Sequence, residues 1–310
     1  MTLIARAAAA WQRWLFAPGS LRHLALFRIG WALAMLLAAR HEAGLWQLYS
    51  AEQYHAPWFG WAQPLSQAAF QRLTQIAEIG SALALIGLWP KLGCALVIAT
   101  LGYLFASDAL LFRNHIYLGL WMGLLLCASP CGRARSVEAC WHRWRGRGPA
   151  GSAESSGVAT QLIKAQVLFV YGFSALNKLR LAFLDGYTLQ QELPFALRSS
   201  PLRALFCDAR GAPRPVVENA LHNALALSVC SCSVVLVEGF LVFGLPSRRL
   251  RHYAIPLGLS LHASIFLLMD IRVFGLLMVA AYPLFSDSDA RRNSFLLSVG
   301  KGNEPLRPFV

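Results

Sequence analysis

Apolar stretches recur along this chain at about residues 24–39, 73–89, 92–107, 115–129, 162–178, 219–245, 253–269 and 272–285. Hydrocarbon offers the backbone no hydrogen-bond partner, so segments of this kind fold as helices that satisfy their own amides. The fold class is therefore all-α: a polytopic integral membrane helical bundle with about eight transmembrane helices. Several stretches fall short of the ~20 residues a straight span needs, so their flanks must complete the crossing. Composition agrees. The 310 residues are 56% hydrophobic and only 14% charged, with a mean hydropathy of +0.48, where a soluble domain carries roughly a quarter charged residues.

The net charge of +13 suggests nucleic acid at first sight, but the basic residues sit between apolar runs, which is a topology signal. Arg6, Arg13 and Arg22, then Lys91, the Arg133–Arg147 cluster and Lys164, then Arg248, Arg249 and Arg251, and finally Arg291, Arg292, Lys301 and Arg307 fall on alternate loops. Positive-inside places both termini and the 130–160 loop in the cytoplasm of a multi-pass cell-membrane protein, the inner membrane if the source is bacterial. No nucleic-acid partner is expected; membrane lipid is. Residues 1–23 read as a cytoplasmic or interfacial lead-in, 24–285 as the transmembrane domain, and 286–310 as a cytoplasmic tail. The lead-in has no signal-peptide cleavage pattern and reads as retained. The Gly146–Gly157 stretch reads as a flexible linker between two halves. Five arginines in 179–218 oppose this topology, although long loops translocate largely regardless of charge. Pro194, Pro201, Pro213 and Pro215 argue against a further span there.

The halves are weakly alike: Glu78-Ile-Gly…Leu-Trp-Pro90 is echoed by Glu238-Gly-Phe…Leu-Pro246, which raises a parallel repeat. The seven cysteines contain no CxxC and read as small packing residues, and the scattered histidines give no metal-ligand spacing.

Polar groups inside apolar runs carry the functional signal. An intramembrane charge costs about 2.5–3.5 kcal/mol even on the lenient insertion scale, so such groups should face one another or a wet cavity. Arg28, Glu78, Asn114-His115, Asn177-Lys178 and His262 are the candidates. Lys178 stands out, because an amine at the edge of hydrocarbon is costly to keep charged and the neutral amine is a base and nucleophile. The bland alternative is a snorkelling lysine. With the topology above, His115 opens span four and Lys178 closes span five at the same outer face, so the two could share one outward-opening pocket as an acid–base pair. Arg28 with Glu78 reads first as a structural ion pair, and His262 equally as a helix-to-helix hydrogen bond.

Phe27-Arg28-Ile29-Gly30, Arg113-Asn-His-Ile-Tyr-Leu-Gly119, Val170-Tyr-Gly-Phe-Ser-Ala-Leu-Asn-Lys-Leu179 with Asp185-Gly-Tyr187, and the His262 helix ending at Pro283-Leu-Phe285 occur in this order. Together they resemble the transmembrane (HTTM) domain of the vitamin K-dependent gamma-carboxylase family, over roughly residues 22–285, as in a domain-only bacterial member. The resemblance implies a lyase-type membrane enzyme. Lys178 would be the base that deprotonates reduced vitamin K or a related quinol, and His115 its partner, with O2 and CO2 as co-substrates. Asn114, Arg28, His262 and Tyr117 would line or support the cofactor pocket. Two departures stand against direct transfer. Asn177 replaces a second lysine of the carboxylase, and the large lumenal domain that handles the protein substrate has no counterpart before Val310. A peptide substrate would then come from a separate presenting subunit. The competing expectation is a non-enzymatic subunit that binds quinone or lipid and scaffolds a partner complex. A transporter ranks third, for want of paired intramembrane carboxylates and broken helices.

Overall fold

The computed structural model describes residues 3–45, 56–63, 65–146, 154–155, 157–269 and 271–286. The greater part of the expected linker and nearly all of the expected tail lie outside the described residues. A short helix, α1 (Leu3–Leu15), precedes a two-residue strand, β1 (Gly19–Ser20). Ser20 then caps α2 (Leu21–Gly44), its Oγ accepting from the His23 amide at 3.4 Å, which satisfies one of the orphan donors of the first turn. In α3 (Gln67–Ile86) Ser66 does the same, and the helix ends on Gly87 in the left-handed conformation. Pro90 opens α4 (Pro90–Ser107) at a position where its missing amide is no loss. A 3-10 turn leads to α5 (Asn114–Cys127) and the short α6 (Val137–Trp144). Strand β2 (Glu154–Ser155) pairs antiparallel with β1 and precedes α7 (Val158–Lys178).

The loop from 179 to 218 folds as four short helices: α8 (Leu181–Leu184), α9 (Tyr187–Ser199), α10 (Arg203–Phe206) and α11 (Pro215–Leu221). None approaches spanning length; Pro201 and Pro213 lie between the short helices and Pro215 opens α11, whereas Pro194 is accommodated inside α9. The chain then runs through α12 (Ala224–Gly244), α13 (Arg251–Met269) and α14 (Arg272–Phe285).

Each of the eight apolar stretches coincides with a helix. Five of these (α2, α4, α7, α12 and α13) are long and apolar enough to cross a membrane, and α5 and α14 are shorter apolar helices. At 1.5 Å per residue the 14-residue helices reach about 21 Å, less than the ~30 Å hydrocarbon core. The order of packing is α2 against α3, α5 and α14, α3 against α4, and α4 against α5. A second set has α7 against α12 and α14, α12 against α13, and α13 against α14.

Helix α2 is the hinge pin of this arrangement. Trp31 is fully buried and its Nε1 donates to the Gly119 carbonyl of α5 at 2.7 Å. Helices α3 and α4 approach through Gly80 and Gly93, where an added Cβ would come within 2.8 and 2.5 Å of the opposite glycine's carbonyl oxygen. Small residues at the crossing are how membrane helices gain close packing when lipid is as apolar as leucine. All seven cysteines are free; Cys94, Cys131 and Cys207 are buried, as packing residues should be, whereas Cys140 and Cys230 are exposed.

Candidate functional site

Helix α7 carries Tyr171, Ser174 and Lys178 at i, i+3 and i+7, which puts all three on one stripe. That stripe faces α12, α13 and α14. Lys178 Nζ lies 2.5 Å from Glu238 Oε1 and donates to Ser174 Oγ at 3.0 Å, while Ser174 Oγ donates to the same carboxylate oxygen at 3.1 Å. The lysine side chain is 26% exposed and the glutamate 6%. The ammonium also lies over the Phe183 ring, 5.8 Å from its centroid. A polar triangle thus joins α7 to the middle of α12.

Two turns back along the stripe, the Tyr171 hydroxyl bonds His262 Nε2 at 2.6 Å and the Tyr282 hydroxyl at 2.7 Å. All three side chains are buried. This second cluster ties α7 to α13 and α14, and His262 is an electrostatic neighbour of Lys178. Two atoms are left over: Glu238 Oε2 and His262 Nδ1 are buried and hydrogen-bond to no described group. Buried polar atoms are rarely orphaned, and those that are call for a ligand or water. Tyr171→Phe is expected to destabilise the bundle by about 2 kcal/mol, because it strands His262 Nε2 and the Tyr282 hydroxyl together. Thermal unfolding in detergent reads this directly.

The other sequence candidates lie elsewhere. Asn114 and His115 open α5, where the electrostatic neighbours of His115 are Arg113 and His41. Arg113 Nε pairs with Glu42 Oε1 at 3.2 Å, joining α5 to the end of α2. Asn114 is exposed, and Tyr117 belongs to an outward aromatic run: Phe112 lies 5.6 Å from it and Trp121 6.1 Å. Aromatic rows of this kind mark membrane–water interfaces. Neither His115 nor Tyr117 has a described bond to the Lys178 cluster. Arg28 is at the opposite end of α2 from Glu42. It is fully buried, and its Nη2 donates to the Arg135 carbonyl at 2.7 Å. The expected Arg28–Glu78 ion pair does not occur among the described residues; the nearby acid is Glu138. Arg28 anchors the loop after α5 to the base of α2.

Of the sequence candidates, then, the structure brings together Lys178 and His262, and adds Glu238, Ser174, Tyr171 and Tyr282. Glu238 was open to detection. It is the one Asp, Glu, Lys, Arg or His in the 21-residue apolar α12, and an isolated charge at such a position asks for a partner.

Long apolar helices with charges paired between them define a polytopic membrane protein. The chain belongs to the HTTM domain family, whose model matches residues 16–289. No solved structure matches it.

Proposed function

We propose that this protein is a membrane enzyme in which Lys178 acts as a base toward a quinol-type lipid cofactor, as the resemblance to the gamma-carboxylase transmembrane domain implies. The observation that supports it best is the Lys178–Glu238–Ser174 triangle, in which Glu238 Oε2 has no described partner. A hydroxyl has the chemistry that Glu238 Oε2 would accept from, and His262 Nδ1 is a second buried atom with no described partner, able to accept or donate according to its tautomer. A reduced quinone, when bound, supplies an acidic hydroxyl and, with O2, oxidising chemistry. The residues supply the rest. Lys178 Nζ takes up the proton, Glu238 Oε1 stabilises the resulting ammonium, and Ser174 Oγ fixes the carboxylate. To begin the cycle the amine must be neutral. Its proton must therefore leave to water before the quinol binds, so that Glu238 is still the carboxylate that receives the ammonium when Lys178 takes up the next proton.

In this reading the imidazole working beside Lys178 is His262, and His115, Asn114 and Tyr117 belong to the rim of the bundle. The basic loops orient the chain with both termini cytoplasmic and eight crossings. CO2 addition to a peptide glutamate would need a partner to present the peptide. A second reading draws on the same triangle: a lysine already bonded to Ser174 and Glu238 suits a subunit that binds quinone without turnover.

One substitution separates them. Lys178→Arg keeps a cation for Glu238, but guanidinium does not give up its proton. Oxidation of a reduced naphthoquinone by the protein in liposomes, followed by absorbance, is expected to fall roughly 10²–10⁴-fold, the usual contribution of a general base. Unchanged turnover removes Lys178 as the base. Quinone binding without turnover in the unsubstituted protein favours the subunit.

A further inference from the structure

Helix α6 is amphipathic, and its apolar side is open. Val137, Trp141 and Trp144 fall at i, i+4 and i+7, one stripe of the helix, and are 46%, 50% and 77% exposed. Cys140 lies on the same stripe and is exposed as well. The two indole rings stand 5.3 Å apart, and no residue of the helix is buried. What fixes α6 is its first turn. Ser136 Oγ accepts from the Ala139 amide at 2.9 Å, and the Glu138 amide donates to the Gly87 carbonyl at 3.2 Å. The helix is thereby tied to the turn between α3 and α4, where Trp89 is exposed and a helix long enough to span begins. Around this turn Lys91, Arg133, Arg135, Arg143 and Arg145 are all exposed. The sole carboxylate between residues 133 and 145 is Glu138, whose described ion-pair partner is His142 at 4.0 Å. Arg145 stacks on Trp141 at 4.4 Å, and Arg143 bonds the Cys140 thiol and the Ala139 carbonyl. Lys91, Arg133 and Arg135 have no described side-chain hydrogen bond or ion pair.

We propose that α6 lies flat in the headgroup layer of the bilayer, its tryptophan stripe turned toward the acyl boundary, and that the cations around it bind anionic phospholipid. Three observations converge on that occupant. An exposed apolar stripe flanked by basic residues is the pattern of a helix that lies in the interface. Tryptophan is enriched at that level, where an amphipathic ring meets both lipid and water. The bond to Gly87 holds the helix beside the start of α4, so the stripe sits where a spanning segment would enter the membrane. Charge then selects the lipid. Exposed cations with a single carboxylate among them favour a headgroup of net negative charge, each contributing about fivefold in affinity. The surface is independent of the reading given to Lys178.

The experiment uses the full chain. Titrated in mild detergent and read by native mass spectrometry, it should bind phosphatidylglycerol more tightly than the zwitterionic phosphatidylcholine, by at least the roughly fivefold that one basic residue carries. Lys91→Gln combined with Arg133→Gln should weaken phosphatidylglycerol binding roughly 25-fold and leave phosphatidylcholine unchanged. Cys140 reports the position of the stripe. In nanodiscs containing phosphatidylglycerol it should be protected from a charged, water-soluble maleimide relative to the urea-unfolded chain, with the labelled site located by peptide mass spectrometry. Trp141→Ser with Trp144→Ser should remove that protection. Equal affinity for the two lipids overturns the proposal, as does phosphatidylglycerol binding that the Lys91 and Arg133 substitutions leave unchanged. Cys140 labelled in nanodiscs as fast as in the unfolded chain also overturns it, and would leave the stripe to a protein partner.

Discussion

Lys178→Met is expected to lower the unfolding free energy by about 3 kcal/mol, and adding Glu238→Leu to return most of that loss. The asymmetry of the pair sets these numbers. Glu238 is the more buried partner, with a side chain 6% exposed against 26% for the lysine. Without Lys178 its carboxylate retains only the Ser174 hydroxyl at 3.1 Å on Oε1, and Oε2 has no described partner. Breaking a buried pair from one side leaves an uncompensated group, whereas replacing both by apolar residues of similar size is often neutral. Glu238→Leu alone should cost less, about 1 kcal/mol, since a partly exposed lysine can bend its stem toward water. The four proteins form a double-mutant cycle, read by denaturant titration in micelles. Simple additivity of the two losses would show that the side chains do not meet. The double mutant should nonetheless be inactive, which separates the contribution of the pair to the fold from its proposed chemistry.

Gly87→Ala is expected to cost about 3 kcal/mol, although it adds a single methyl. Gly87 ends α3 at a φ of 73°, where an L-residue pays about 1–2 kcal/mol. The new Cβ would also lie 2.3 Å from Arg28 Nη1, 2.4 Å from Ser136 Cβ and 2.8 Å from Ser136 Cα. Relieving that overlap means moving a buried guanidinium off the Arg135 carbonyl or shifting backbone, and overpacking of this sort costs about 1–3 kcal/mol. Gly146→Ala is the control. Gly146 has a similar φ of 67° but nothing within 4 Å of the added Cβ, so it should show the backbone cost alone. Equal midpoints for the two variants would mean that Arg28 is not held as described.

The helices were legible in the sequence because a membrane segment must meet its backbone's needs locally, and hydropathy reports that need without any knowledge of neighbours. The prolines of 179–218 were legible for the same reason. What proved hard was lateral position. Alternating topology assigns His115 and Lys178 to one face, but it does not say how far apart two helices stand within that face. The described neighbours of His115 are Arg113 and His41, and those of Lys178 are Glu238, Ser174 and His262. Tyr171 and Tyr282 meet across 111 positions of sequence, a pairing that no local pattern encodes. Glu238 was visible but was taken up by its likeness to Glu78, when its isolation in an apolar helix was the stronger signal. Arg28 looked like a pocket residue because it interrupts an apolar run. Its depth near the base of α2 lets it reach the Arg135 carbonyl instead.

The second set of helices is thinly covered. Only 28% of the apolar window of α12 and 17% of that of α13 is buried in the protein, against 56% for α2. In a bilayer their uncovered flanks would face acyl chains, and Glu238 lies on one of these two helices, paired with Lys178 of α7. If the pair acts on a bilayer-dissolved molecule, as proposed, that molecule would approach the partly exposed Lys178 from the lipid without first entering water. Its relevant concentration is its mole fraction in the membrane rather than its amount per litre of water. Adding inert lipid at constant total substrate would then slow any reaction at this pair, by surface dilution alone.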